Sequence, residues 1–386
     1  MGHKITCISV EDADNSNIYE ERMKIRIDKT NLVQNSIRRT SVHYRAIERY
    51  LMPYYLKMAL KQNLIKNKPD IIHCRSYMPL SAAIMAKKKF EIPLLFDTRG
   101  FWIDQRIESH QWDTKKFTHK KIINHFRKLE NIAFSTSDRI VVLTQEAKQY
   151  IENHTFYNGA PIDVIPCSVD QTKFKFDHSR RDRLRSELGF KKKDIVMTYL
   201  GSDGHLYRTD VIFKLYEKLK KQNIKIKLLF VGNHSVNSLI NKSHNMGINI
   251  ERSDIVSTIA QHKQVPELLN AADFGLFFII QSFSSLGVSA TKICEYLSCG
   301  LPVITNQGIG DIQKIIIDGR NGLILKDFSE ESISKTAEKT LKTDFMPREE
   351  IAQISKDIFN IENAITIYSN IYNDITSQKK CEGSLF

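Results

Sequence analysis

SATKICEYLSCGLPVITN, residues 289–306, decides how the rest of this 386-residue chain is read. A small polar run opens a helix, Gly300 ends it, and a short apolar strand follows. A helix start offers unpaired backbone N–H groups and the positive end of a dipole, which together favour phosphate. Ser289 and Thr291 add hydroxyl donors there, and Lys292 adds a charge. Glu295 follows Thr291 by one turn on the same face, where a carboxylate can accept a pair of ribose hydroxyls. The same spacing also describes a capped surface helix with a Thr-Lys-Glu face, and spacing alone leaves both open.

Around this stretch, short β-branched runs alternate with longer amphipathic segments, the pattern of an α/β chain with parallel sheets. In the second half, strands are predicted at 195–200, 225–231, 255–258, 274–280, 302–305 and 322–325. Helices are predicted near 209–222, 265–271, 289–298, 310–317 and 329–342. In the first half, strands are predicted at 4–10, 23–27, 71–73, 93–96, 139–143 and 163–165, with helices near 42–66, 79–89, 115–134 and 145–152. The charged stretch 173–193 holds a helix over 180–188 and no strand, so the junction falls there. A first Rossmann-like domain is expected over 1–190 and a second over 191–355. A single-faced helix over about 356–376, carrying Ile358, Ile361, Ile365, Tyr368, Tyr372 and Ile375, is expected to pack back on the first. Two such units face each other across a cleft at their strand C-termini, where open α/β sheets take ligands.

Composition narrows the class. The apolar fraction is 41% and the charged fraction 26%, values of a soluble globular protein. No stretch reaches the roughly 18 apolar residues of a spanning helix, and the start has no signal-peptide core before Glu11 and Asp12, so a cytosolic protein is expected. Six cysteines show no metal-like spacing and read as free thiols. Of the net charge of +13, residues 1–190 carry +11, from 33 Lys+Arg against 22 Asp+Glu. That imbalance fits an anionic partner such as a membrane face or a phosphorylated acceptor, and equally a basic, soluble surface. Nucleic acid is disfavoured, because no recognisable reading motif interleaves the basic residues. The helix over 45–66 mixes Tyr50, Leu51, Tyr54, Tyr55 and Met58 with Arg49, Lys57 and Lys61, which suits a membrane interface or a core face. Asp12-Ala13-Asp14 is an Asp-x-Asp pair in the wrong chain context, and no metal is assigned.

TKICEYLSCGLPVIT at 291–305 resembles the nucleotide-binding segment of family 4 glycosyltransferases, which have the GT-B fold. VPELLNAADFGLFF at 265–278, DRIVVLTQEAKQYI at 138–151 and IDVIPCSVDQTKF at 162–174 resemble further family segments in the same order. IIHCRSYMP at 71–79 and IPLLFDTRGFW at 92–102 resemble a bacterial surface-polysaccharide subgroup. The match spans roughly residues 3–375 and implies two facing Rossmann-like domains.

The resemblance also implies roles. The family's second signature glutamate matches Glu295 and would hold the ribose. The first falls on Gly287, so that carboxylate is absent, and Ser289 or Lys292 is expected to take its place. The basic pair that clamps the diphosphate falls on Ser202 and Arg208 after Gly201, leaving Arg208 as the expected main phosphate cation. A histidine common in the first domain is replaced by Asp97, followed at short range by Arg99. These two either face the sugar and acceptor or form a buried pair, with His73 and Arg75 as weaker candidates. NQGIGDIQ at 306–313 resembles a turn with donor-sugar contacts. Gly308 and Gly310 allow close backbone approach there, and Asp311 either meets the sugar or caps its own helix.

The expected activity is transfer of a sugar from a nucleoside-diphosphate sugar, a UDP-sugar by default, to a glycan or lipid-linked acceptor. The resemblance implies retention of configuration, no metal and no cofactor. Arg208, Lys292 and the helix start would stabilise the leaving diphosphate. A GT-B sugar-nucleotide epimerase and a non-catalytic nucleotide- or glycan-binding protein are the alternatives. The family's first βα unit is expected to be missing ahead of the strand at 4–10, as in a truncated product.

Overall fold

The computed structural model describes residues 3–12, 32–39, 45–66, 68–202, 204–222 and 225–383. Its second half is one six-stranded parallel sheet, built from β7 (Ile195–Leu200), β8 (Ile226–Val231), β9 (Ile255–Thr258), β10 (Phe274–Phe277), β11 (Val303–Asn306) and β12 (Gly322–Leu325). The strand order is β12-β11-β10-β7-β8-β9. The first half holds β3 (Ile72–Arg75), β4 (Leu94–Asp97), β5 (Arg139–Val142) and β6 (Ile162–Val164), parallel and in that order. β1 (Ile5–Asp12) and β2 (Leu32–Arg39) pair in parallel as a separate two-stranded piece.

Parallel strands are covered on both faces and therefore read as near-continuous apolar runs. β4, β10 and β11 are buried along their whole length. Successive residues enter different cores, as with Leu228 and Leu229 of β8. One face of the first sheet packs under helices 45–66, 80–90 and 117–136, through residues such as Leu64, Leu80 and Phe126. The opposite face meets the last helix, where Leu95, Val141 and Ile165 pack on Ile371 and Ile375. No helix of the described residues is long and apolar enough to cross a membrane.

Several expectations need correction. The expected single C-terminal helix is two helices, Arg348–Phe359 and Ile361–Gly383, broken at Asn360. Phe359 is buried in a core of the second half, while Ile371 and Ile375 are buried on the first sheet. One straight helix cannot serve both, and Asn360 takes extended backbone and bridges to Val169. β10 ends at Phe277 because the next residues pair elsewhere: Arg208 donates its N–H to Phe278 O and Ile280 donates to Leu206 O. Helices Trp102–Glu108 and Val236–His244 were not anticipated, nor was β2. The expected strand at 23–27 lies outside the described residues, as do Ala13 and Asp14 of the Asp-x-Asp pair.

Gly275 ties the sheet to the helix that follows it. The fully buried Tyr296 ring lies against its Cα, where any Cβ would overlap the ring. The Tyr296 hydroxyl accepts from Leu200 N (2.7 Å), so the ring cannot step aside freely. Overpacking of this kind costs about 1–3 kcal/mol. Gly275→Ala should therefore lower the melting temperature by several degrees, and an unchanged melting curve would contradict this packing.

Candidate nucleotide site

The helix Thr291–Ser298 starts on Ala290, which gives no side-chain cap, and has no acidic residue in its first turn. Its start is therefore a positive dipole end without an internal counter-charge. Beyond Lys292 the helix is buried, and Glu295 is buried with it at 6% exposure. Burial pushes the Glu295 carboxyl up to about 7, against the pull of Lys292. The exposed His262, on the loop after β9, places Nε2 3.6 Å from Glu295 Oε1. Such a carboxylate at the cleft side of the sheet is expensive to hold without a ligand or proton to receive.

Lys292 runs back across Gly201. Its Nζ lies 3.8 Å from the Tyr207 ring centre and has no hydrogen-bond partner. Burial pulls its ammonium down to about 8. Gly201 has φ of +125°, and a Cβ there would overlap the Lys292 ammonium, so this position needs glycine twice over. His234 donates from Nε2 to Gly201 O (2.5 Å), which fixes the loop. Ser202 is exposed, and its carbonyl accepts from Tyr199 OH.

Arg208 is placed differently from the sequence expectation. Its guanidinium forms a two-point pair with Asp210 (2.8 and 2.6 Å) and stacks 4.3 Å over Phe328. Asp210 takes Nε and one Nη2 proton and offsets the charge, while Nη1 stays outside that pair. Lys292, Glu295 and Gly201 come together, and Arg208 is paired with Asp210.

Ser289, Gly287, Gly310 and Asp311 all lie on the seam between the two halves. Ser289 Oγ accepts from Cys167 N (3.0 Å), so the hydroxyl expected to reach phosphate is engaged across the seam. Asp311 does not cap its own helix. Its Oδ2 instead accepts from Gln145 N (2.7 Å) at the start of helix 145–152 in the first half. Thr144 Oγ1 donates to Leu286 O (2.7 Å). Gly287 packs on Gly100 and Phe101, and a Cβ at 287 would lie 3.0 Å from the Phe101 ring. A side chain at that position would need the Phe101 ring and the Gly100 backbone to give by a few tenths of an ångström. Gly308, with φ of +77°, lies against Gln281.

Asp97 and Arg99 do not pair with each other. Asp97, 2% exposed, accepts from Tyr368 OH (3.0 Å) and lies 3.5 Å from His73 Nε2. His73 Nδ1 is 2.8 Å from Tyr372 OH, so both tyrosines of the last helix meet this cluster. Arg99, at φ of +55°, reaches 3.6 Å from Cys167 Sγ and so joins the seam beside Ser289. An apolar cavity of about 220 Å³ lies on the seam, walled by Leu143, Val164, Val288, Ile293 and Ile309. Sequence reasoning missed Tyr199, Tyr207, Phe277, Cys167 and His262. The aromatics are ordinary core types by pattern, and only the fold shows that a lysine lies among them.

Residues 1–173 match the model described as Glycosyltransferase Family 4, and residues 180–357 match the model of glycosyl transferases group 1. The chain belongs to the family 4 glycosyltransferases of the GT-B fold. It is 24% identical over 278 residues to a D-inositol 3-phosphate glycosyltransferase of Rhodococcus erythropolis, covering 67% of this chain and 56% of that protein. It is 21% identical over 276 residues to the Escherichia coli UDP-Gal:alpha-D-GlcNAc-diphosphoundecaprenol alpha-1,3-galactosyltransferase, covering 70% and 64%. The chain thus spans under two thirds of the length of these relatives. Among solved structures, Anabaena HepE in complex with UDP and glucose superposes with a TM-score of 0.67 at 14% identity, covering 97% of this chain and 100% of that one.

In this glycosyltransferase the buried Glu295 has a thermodynamic signature. The folded chain holds the Glu295 proton up to about pH 7, against an ordinary value of 4.5. Below about pH 4.5 both folded and unfolded chains are protonated there, and Glu295→Gln should be close to neutral. Between about pH 4.5 and 7 the unfolded chain releases the proton first, so wild type loses stability relative to the variant. Above about pH 7 the gap is constant. Melting temperatures of both proteins from pH 4 to 7.5 check this, and a pH-independent difference would contradict the burial of Glu295.

Proposed function

We propose that the chain transfers a sugar from a nucleoside-diphosphate sugar, by default a UDP-sugar, to a glycan or lipid-linked acceptor in surface-polysaccharide synthesis. The observation that carries this is Glu295, a buried carboxylate one turn inside an uncapped, acid-free helix start with Lys292 beside it. The carboxylate suits two ribose hydroxyls, and the helix start with Lys292 suits the diphosphate. As the bond to the sugar breaks, charge grows on that diphosphate, and a fixed dipole and cation stabilise the leaving group with no metal required. Family membership implies retention. HepE was crystallised with UDP and glucose, and the name of the E. coli relative states a UDP-galactose donor and a diphosphoundecaprenol-linked acceptor. Asp97 and Arg99, at the end of β4, are the proposed acceptor-side groups, and Gly308, Gly310 and Asp311 the proposed sugar-side turn.

The proposed location is the cytoplasmic side, in contact with an anionic membrane face. Helix 45–66 exposes Tyr54, Tyr55, Met58 and Ile65 beside Lys57 and Lys61. On the same layer Phe117 is 71% exposed among Lys115, Lys116, Lys120 and Lys121. Aromatic groups ringed by lysines suit the headgroup region of acidic lipid.

Thermal shift with UDP, GDP, CMP and ADP tests the donor site. A ligand at about 100 times its Kd adds about 2.7 kcal/mol. One nucleotide, UDP by default, should raise the melting temperature of wild type, and Glu295→Ala should lose that rise. Silence with all four would sink the reading. Separately, the protein should float with vesicles containing anionic lipid and not with neutral ones, and a Tyr54→Ser, Phe117→Ser double variant should float less. Absence from both vesicle fractions would remove the membrane contact.

A further inference from the structure

An ammonium withdrawn from water needs a partner, and Lys292 Nζ has no hydrogen bond. Three rings stand in for one. The ring centres of Tyr207, Tyr199 and Phe277 lie 3.8, 4.9 and 5.7 Å from Nζ. The rings come from separate elements and each is held: Tyr199 on β7 donates to Ser202 O (2.9 Å), Tyr207 bridges to Ile279, and Phe277 is buried at the end of β10. Gly201 leaves the space through which the lysine chain passes. The moving part is therefore the flexible lysine, between fixed walls.

Glu295 lies one turn further along the same helix, Tyr199 and Tyr207 bring neutral phenols, and His234 is bonded to Gly201 O. Among the described residues no carboxylate is hydrogen-bonded to the ammonium. Attraction to a ring face is weaker than a charge-assisted hydrogen bond to an anion, so an anion arriving at the helix start outcompetes the rings. Meanwhile the two positions where the resemblance puts a basic pair hold an exposed, neutral Ser202 and an Arg208 whose charge is paired with Asp210.

We infer that Tyr199, Tyr207 and Phe277 form a holding cage for Lys292, from which the diphosphate of a bound donor draws the ammonium to the first turn of helix 291–298. This rests on the donor-site reading above. It makes Tyr207 a positioning residue that acts through Lys292, and it moves diphosphate recognition from Arg208 to a single stored lysine. The ammonium stays protonated throughout; only its partner changes, from ring faces to phosphate oxygens.

Calorimetric titration of the full chain with uridine and with UDP tests this, because uridine lacks the diphosphate and still needs Glu295. Wild type should bind UDP more tightly than uridine. Lys292→Met should lose that advantage, weakening UDP on the order of tenfold to a hundredfold, and leave uridine unchanged, which also certifies the fold. Tyr207→Phe should match wild type, and Tyr207→Leu, which removes the competing ring, should tighten UDP by about fivefold without touching uridine. Arg208→Met should keep the advantage. A Lys292→Met protein that retains it, or loses uridine equally, overturns the inference, as does an Arg208→Met protein that loses it. If wild type binds neither ligand, the donor-site reading itself fails and the cage falls with it.

Discussion

A carboxylate buried on a helix that is itself walled in by both halves of the chain is the constraint on which this structure depends. Glu295 cannot move outward, because its neighbours on helix 291–298 are locked. Tyr296 occupies the space left by Gly275, Cys294 donates from its thiol to Cys167 O (3.3 Å), and Ser298 bonds to Ser355 (2.7 Å). Each contact goes to a different element, namely the central strand, the first half and the helix 348–359. The helix start is thereby fixed in position and direction, and a preorganised dipole costs no reorganisation when charge develops in front of it.

The same fixing explains where the polar groups of the seam went. Ser289 and Asp311 each accept a backbone N–H from the first half, at Cys167 and Gln145. Gly287 and Gly100 allow the backbones to touch. Residues whose spacing suggests ligand contact are here used to join the halves. Separating the halves would free Ser289 and Asp311 for other partners. Among the buried polar atoms without a hydrogen-bond partner are Lys292 Nζ, Asp97 Oδ1 and Asp311 Oδ1.

Much of the fold was legible in the sequence. The strands 195–200, 255–258 and 322–325 and the helix 265–271 fall where the apolar runs and their glycine ends place them. Parallel sheets follow from runs buried on both faces. The C-terminal break at Asn360 was not legible, because apolar spacing continues across it while the core being served changes. Nor was the short helix 102–108, whose aromatic start belongs to a cluster with Trp112 and Phe126. At the site, spacing along one helix left Glu295 and Lys292 open between a ligand face and a capped surface helix, and the family resemblance put Glu295 on the ribose. The sequence did not show that Arg208 pairs with Asp210 two residues away, because either a pair or a free cation satisfies the pattern. The aromatic cage was invisible for a physical reason: Tyr199, Tyr207 and Phe277 are brought together by sheet register, which no local pattern encodes.

The central claim, that helix 291–298 receives a nucleoside diphosphate on its first turn and Glu295, is tested most directly by a crystal structure of the chain with UDP. The account predicts ribose hydroxyls within hydrogen-bond distance of the Glu295 carboxylate and phosphate oxygens at the backbone N–H groups of Thr291 and Lys292. A nucleotide bound elsewhere, with Glu295 still buried and untouched, would contradict it.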